Sequence, residues 1–298
     1  MENFILTFSF LLIGMALRRL RQFPRETAQV LNLFVIHVSL PALVLLKVPQ
    51  LTFARDLLIP ALMPWGMLLV TAILVIGAAK WFSWPREVVG ALLLLVPLGN
   101  TSFLGIPMVR AFFGEPGIPY AVLYDQLGSF LALATYGSVV LALYGSGERP
   151  QAAAVVKKIL TFPPFIALLL AFASRSLPYP EPLLALLKTL SATLVPVVMI
   201  AVGFQLTLRL SPEVLKPLGF GMIMKLVIAP VIALIFCSYF NLDSLAARVS
   251  VLEAGMPPMV SAGALAIMAN LSPQLTAALV GLGILASFLT LPLLFQLL

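Results

Sequence analysis

Val96-Pro-Leu-Gly-Asn-Thr-Ser-Phe-Leu-Gly-Ile-Pro107 interrupts a hydrophobic segment, Val88 to Phe113, that is long enough to cross a bilayer. At 1.5 Å per residue, Val88–Pro97 makes about 15 Å of helix, roughly half the hydrocarbon thickness. Two prolines, two glycines and Asn100-Thr101-Ser102 therefore fall near the midplane. A proline there removes a helical hydrogen bond, and a glycine eases unwinding. Free backbone groups are expensive in lipid, so an unwound patch survives only inside protein or against a watery cavity. One reading is a proline-kinked helix packed on its neighbours. The sharper reading is a discontinuous helix that forms a binding site of the kind transporters use.

The rest of the chain has the composition such a helix needs. Of 298 residues, 61% are hydrophobic and 10% charged, as expected of a polytopic membrane protein rather than a soluble globule. The formal charge of +7 comes from basic residues scattered over short loops, which mark topology and give no reason to expect nucleic acid. The single cysteine, Cys237, excludes an intrachain disulfide and a cysteine-based metal cluster. The N-terminal segment runs too directly into the next span to look like a cleaved signal.

Hydropathy divides the chain into ten spans: 3–20, 29–47, 58–79, 88–113, 118–144, 155–174, 183–206, 214–240, 245–270 and 274–297. With the N-terminus on one side, the loops on the opposite side hold eleven basic residues. These are Arg18, Arg19, Arg21, Arg25, Lys80, Arg86, Arg149, Lys157, Lys158, Arg209 and Lys216. The N-terminal side receives six: Lys47, Arg55, Arg110, Arg175, Lys188 and Arg248. The richer side is expected to be cytoplasmic, which puts both termini outside a cell (inner) membrane.

Residues 145–154 form a short linker that divides the chain into 1–144 (spans one to five) and 155–298 (spans six to ten). Five spans on each side place the halves in opposite orientations, as an inverted repeat requires. Matching positions carry matching features. Span two has Ser39-Leu-Pro-Ala-Leu-Val44, and span seven has Thr193-Leu-Val-Pro-Val-Val198. Span four is broken at Pro97–Pro107, and span nine at Glu253-Ala-Gly-Met-Pro-Pro258, between the half-helices Ser244–Ala254 and Met259–Asn270. The expected fold is all-α, two inverted five-helix repeats whose fourth and ninth helices are broken and cross at the midplane.

Asn100, Thr101 and Ser102 supply amide and hydroxyl groups where a half-helix opens, as caps, as substrate contacts or as both. At membrane depth the triplet is not a glycosylation site. Pro107, Met256 and Pro257 flank the two breaks and are counted with the triplet as substrate-binding residues. Glu253 is a carboxylate at the midplane, a functional candidate on grounds of expense, against which stands a structural ion pair. Asp125 lies about seven residues into span five, with Ser129 one turn later on the same face. Lys225 is about 12 Å deep from the cytoplasmic side, where snorkelling competes with pairing to Asp125, Glu253 or an anion. His37, the lone histidine, is expected to be a packed polar residue, and Met222, Met224, Met256, Met259 and Met268 to be helix packing. No P-loop, zinc cluster or nucleophile elbow is present, and an intramembrane enzyme would lack clustered acids.

Three stretches carry a resemblance: Leu31-Asn-Leu-Phe-Val-Ile-His-Val-Ser-Leu-Pro-Ala-Leu43, Gly99-Asn-Thr-Ser-Phe-Leu-Gly-Ile-Pro107 and Lys225-Leu-Val-Ile-Ala-Pro230. Together they resemble the auxin efflux carrier family of bacterial and plant transporters. The short central linker makes the chain similar to a compact prokaryotic member. The resemblance implies secondary transport of small organic anions, either malate- or malonate-like carboxylates or amphipathic, auxin-like acids. It implies a scaffold-plus-panel architecture with elevator-like alternating access and the substrate held where the broken helices cross.

Glu253-Ala-Gly-Met256 also resembles the acidic segment of the bile-acid sodium symporters, where the glutamate helps bind sodium. Pro257-Pro258 here replaces polar side chains in that segment. Coupling is therefore expected to use protons rather than sodium through Asp125, Lys225 and Glu253, with sodium at Glu253 and Asn100 as the alternative. A sodium symporter of the bile-acid type and a passive channel remain the rival functions. Beyond substrate and lipid, a second copy of the chain is a candidate partner, and no other cofactor is expected.

Overall fold

The computed structural model describes residues 2–51, 55–145, 151–206 and 212–298. Arg149 and Arg209 of the basic-loop count, and positions 146–150 of the linker, lie outside these residues. The described chain is helical. In order, the helices are α1 (Glu2–Leu17), α2 (Thr27–Gln50), α3 (Leu58–Phe82), α4 (Arg86–Leu95), α5 (Thr101–Phe113) and α6 (Glu115–Tyr144). They continue as α7 (Ala152–Leu160), α8 (Pro163–Ala173), α9 (Glu181–Gln205), α10 (Leu215–Tyr239), α11 (Leu245–Ala254), α12 (Val260–Met268) and α13 (Pro273–Phe295).

Six of them, α2, α3, α6, α9, α10 and α13, are each long and apolar enough to cross a membrane. Spans four and nine are pairs of shorter helices, α4/α5 and α11/α12. The segment read as one span over 155–174 is also divided, because Pro163 and Pro164 open a new helix at its first turn, where proline's missing N–H costs nothing. Within α2, α5, α6 and α10 the backbone widens into π-type turns at Val35–Ser39, Thr101–Gly105, Tyr124–Phe130, Leu133–Gly137 and Met224–Ile228. Such turns commonly mark functional positions.

The chain forms two compact units, each assembled from segments before and after the central linker. The first comprises Met1–Ala54, Ser102–Val122 and Lys157–Leu206. In it α1 lies along the second half of α9, and α8 and α9 pack on α2. The α1–α9 contact is close because two glycines face the opposing backbone. A Cβ at Gly14 would lie 2.1 Å from the Ile200 carbonyl oxygen, and one at Gly203 would lie 2.1 Å from that of Leu11. Helices in lipid gain little from hydrophobicity and associate instead through such close packing. The Ser39 and Thr193 hydroxyls, from the matching stretches noted above, hydrogen-bond at 2.7 Å. Glu115 accepts ion pairs from Lys47 at 2.5 Å and Arg110 at 2.6 Å.

The second unit comprises Arg55–Thr101, Leu123–Val156 and Thr207–Leu298. Here α3 packs on α6 and α11, α10 on α11 and α13, and α12 on α4 and α13. Leu92, Leu94, Leu95, Ala262, Ala266, Leu275 and Leu279 form a buried core among these helices. The short helix α4 is thus largely buried and α12 is held along its Ala262–Ala266 face, which anchors the loops that follow α4 and precede α12.

Candidate functional site

Those loops meet. The α4 helix ends with the Val96 N–H donating to Leu92 at 2.9 Å, and Pro97 then stops the ladder. The Met259 N–H donates to the Leu98 carbonyl at 3.0 Å and the Asn100 N–H to the Pro257 carbonyl at 2.8 Å, so Gly99 and Pro258 pair as an isolated antiparallel bridge. On the other side of this bridge, Ser244 caps α11 by accepting from the Ala247 N–H at 3.3 Å. The helix closes at Glu253-Ala254, and Gly255 and Met256 donate back to Leu252 and Glu253 at 3.1 Å each. Pro257 and Pro258 have no N–H. Every N–H from Gly255 to Met259 therefore has a partner, which is what buried irregular backbone in a membrane requires.

Around this bridge the second unit gathers Asn100, Thr101, Asp125, Lys225, Glu253, Met256 and Pro257, all buried. Asp125 is held by the Thr101 hydroxyl, which donates to Oδ1 at 2.6 Å, and by Gln126 Nε2, which donates to Oδ2 at 2.6 Å. Lys225, 3% exposed, extends Nζ to within 3.4 Å of the Ala254 carbonyl at the end of α11. Expected pairing to a carboxylate is thus replaced, in its hydrogen bonding, by a helix C-terminal carbonyl. Both Glu253 oxygens, Asn100 Nδ2 and Gln126 Oε1 are buried without a hydrogen-bond partner among the described residues. Electrostatically, Glu253 interacts with Lys225, Asp125 and the Tyr124 hydroxyl. A cavity of about 10 Å³, room for roughly one water, is lined by Thr71, Gly99, Tyr124, Ser129, Lys225 and Glu253 among others.

Ser102 and Pro107 belong to the first unit. Pro107 is not at the edge of the break, because the helix resumes at Thr101 and the π-type turn Thr101–Gly105 accommodates the proline. His37 is exposed, and its Nδ1 contacts the Leu33 carbonyl of its own helix at 2.9 Å. Gln126, Tyr124 and Thr71 escaped the sequence reading. Each is a polar group in an apolar span, a signal overshadowed by the neighbouring charges.

An orphaned polar group costs about 1–3 kcal/mol and an unpaired buried charge more. Four such atoms clustered at a discontinuity, with the Lys225 ammonium beside them, can receive an anion's oxygen at Asn100, a proton at Glu253, and a hydrogen-bond donor at Gln126. A free sodium ion would need several oxygens around one point, and the Ala254 carbonyl beside Glu253 is already engaged by the Lys225 ammonium.

A chain of apolar, membrane-length helices that matches a membrane transport family is a membrane transport protein, not an enzyme. A family described as membrane transport protein matches residues 1–295, and the chain belongs to it, the auxin efflux carrier family. It is 29% identical over 248 residues to an uncharacterized transporter of Methanocaldococcus jannaschii, covering 78% of this chain and 77% of that protein. An uncharacterized transporter of Methanothermobacter thermautotrophicus is 28% identical over 301 aligned positions, covering 98% of this chain and 96% of that protein.

Proposed function

We propose that the protein is a secondary active transporter of small organic anions, carboxylates or auxin-like acids, working by elevator-type alternating access. The observation that carries this reading is the pair of backbone hydrogen bonds between the α4–α5 and α11–α12 breaks, with unpartnered Asn100 and Glu253 beside them. Asn100, Thr101 and Ser102 contact the substrate, with Pro107, Met256 and Pro257 at its margins. Asp125, Lys225 and Glu253 carry the charge that couples transport to an ion gradient, protons in preference to sodium. All three belong to one compact unit together with Asn100, Thr101, Met256 and Pro257, so that these substrate contacts and the coupling charges can travel together.

The ten spans form two inverted repeats, 1–144 and 155–298, joined by a cytoplasmic linker at 145–154, with both termini outside the inner membrane. Supporting this, equivalent points of the two halves meet: Ser39 with Thr193 in one unit, and Gly99 with Pro258 in the other.

Counterflow in proteoliposomes with a panel of labelled carboxylates tests the proposal. Saturable exchange of at least one carboxylate, abolished by Asn100→Ala, is the expected result. Linear, non-saturable flux would make the protein a passive channel, and no flux of any carboxylate would remove the substrate class.

A further inference from the structure

Lys225 is placed where a free ion would be costly to hold and easy to lose. It lies in the π-type turn Met224–Ile228 of α10, which carries its stem toward the double break. Its ammonium faces three things in the second unit. One is the Ala254 carbonyl, at the negative end of the α11 dipole. Another is the small cavity that Lys225 lines together with Glu253, whose two oxygens have no hydrogen-bond donor among the described residues, the ammonium included. The third is Gly99, where a Cβ would stand 3.1 Å from Nζ. The unwound backbone of span four is therefore pressed against the ammonium, and glycine makes the approach possible. Asp125 adds a second carboxylate within electrostatic reach of Glu253, while Thr101 and Gln126 satisfy its own oxygens.

A carbonyl oxygen in contact with the ammonium and an unpartnered carboxylate lining the same cavity make a site that an ammonium and a bare monovalent cation can each occupy. We propose that Lys225 is a tethered cation. Its ammonium takes the place, beside Glu253, Ala254 and Gly99, that a free monovalent cation would otherwise fill, and so spares the protein a dissociable sodium ion. This rests on the site assigned above and deepens it. The cation beside Glu253 is part of α10 and cannot dissociate from the protein. Removing its charge leaves the Glu253 oxygens and the Ala254 carbonyl to a soluble cation of similar size, in a cavity enlarged by the missing side chain.

The test uses the purified full-length protein and reads thermal unfolding, so it does not depend on transport. Wild type, Lys225→Ala and Lys225→Met are compared in sodium chloride, methylammonium chloride and choline chloride at equal ionic strength. Wild type is expected to unfold at the same temperature in all three salts. Lys225→Ala is expected to rise by about 5 °C in sodium or methylammonium over choline when the cation is in roughly 100-fold excess over its Kd. Lys225→Ala combined with Glu253→Gln should lose that rise.

A sodium-specific rise in the wild type equal to the variant's overturns the proposal. So does a folded, monodisperse Lys225→Ala that responds to neither cation. If Lys225→Ala is not recovered folded, Lys225→Ser, which vacates the same space, is judged by the same rise, and Lys225→Met, which keeps the apolar bulk, is the control expected to show none. Carboxylate counterflow by wild type with no cation response in the variants would leave the transport reading standing and sink the tethered cation. A cation response without counterflow would do the reverse.

Discussion

The Asn100 N–H donates to the Pro257 carbonyl at 2.8 Å, joining two stretches 157 positions apart in the chain. That bond and its neighbour from Met259 to Leu98 explain why prolines crowd the breaks. An unwound segment in lipid must either satisfy each N–H or not have one. The ring of Pro258 takes the second course, and its Cδ, bonded to the backbone nitrogen, packs on α13 so closely that a Cβ at Gly283 would lie 2.8 Å away.

Pro258→Ala places a new N–H against Gly283, where that helix offers no side chain to receive it. The expected effect is a loss of about 1–3 kcal/mol, seen as a fall of several degrees in Tm. An unchanged or higher Tm would show that the prolines serve something other than donor accounting.

Asn100→Ala and Glu253→Gln are each expected to abolish carboxylate counterflow while leaving monodisperse protein with an unaltered helical circular dichroism spectrum. The motive is that Asn100 Nδ2 and both Glu253 oxygens are buried and unpartnered, so neither side chain holds the fold through a hydrogen bond seen here. Removing the Asn100 amide should even raise Tm slightly, since a group left unsatisfied without substrate is deleted. Wild-type counterflow by either variant would take that residue out of the site.

The two breaks were legible in the sequence because proline, glycine and polar residues crowd together there, whereas the lone Pro64 leaves Leu58–Phe82 continuous. Ser244 was readable as the start of a half-helix for a similar reason, being an N-cap residue at the edge of an apolar run. The membership of the compact units was not legible. It depends on which faces of uniformly apolar helices meet, and in a span such as Leu58–Phe82 no polar stripe distinguishes one face from another. The break of span four is shorter than the interval Pro97–Pro107 suggested, because a proline can open a helical turn as well as close one and the helix resumes at Thr101. The bond from Lys225 to the Ala254 carbonyl was invisible because sequence records charges but not free helix ends.

Gly99→Ala brings a methyl group to 3.1 Å from the Lys225 ammonium, tighter than ordinary contact. We expect roughly a tenfold loss of transport rate, about 1.4 kcal/mol, from this one carbon. The same substitution in a Lys225→Ala background should add little, because the clash is gone. A double-mutant cycle on Tm checks this, and strictly additive effects would mean that Gly99 serves the turn rather than the ammonium.

Gly14 and Gly203 make the opposite kind of prediction, one about the first unit alone. Each faces a backbone carbonyl rather than a flexible side chain, so the neighbour cannot swing away to admit a methyl group. Gly203→Ala should force α1 and α9 apart and lower stability by about 1–3 kcal/mol, the usual range for overpacking. Gly66, which has nothing near the position of an added Cβ, serves as the control, and Gly66→Ala should leave Tm unchanged or raise it through helix propensity. The two variants differ in where the methyl points, not in its size, so the comparison isolates close backbone approach from the general effect of replacing glycine in a membrane helix. Thermal unfolding of both in the same detergent decides it. Equal Tm values would mean that the α1–α9 contact yields at little cost, and would remove close glycine packing as the source of the first unit's cohesion.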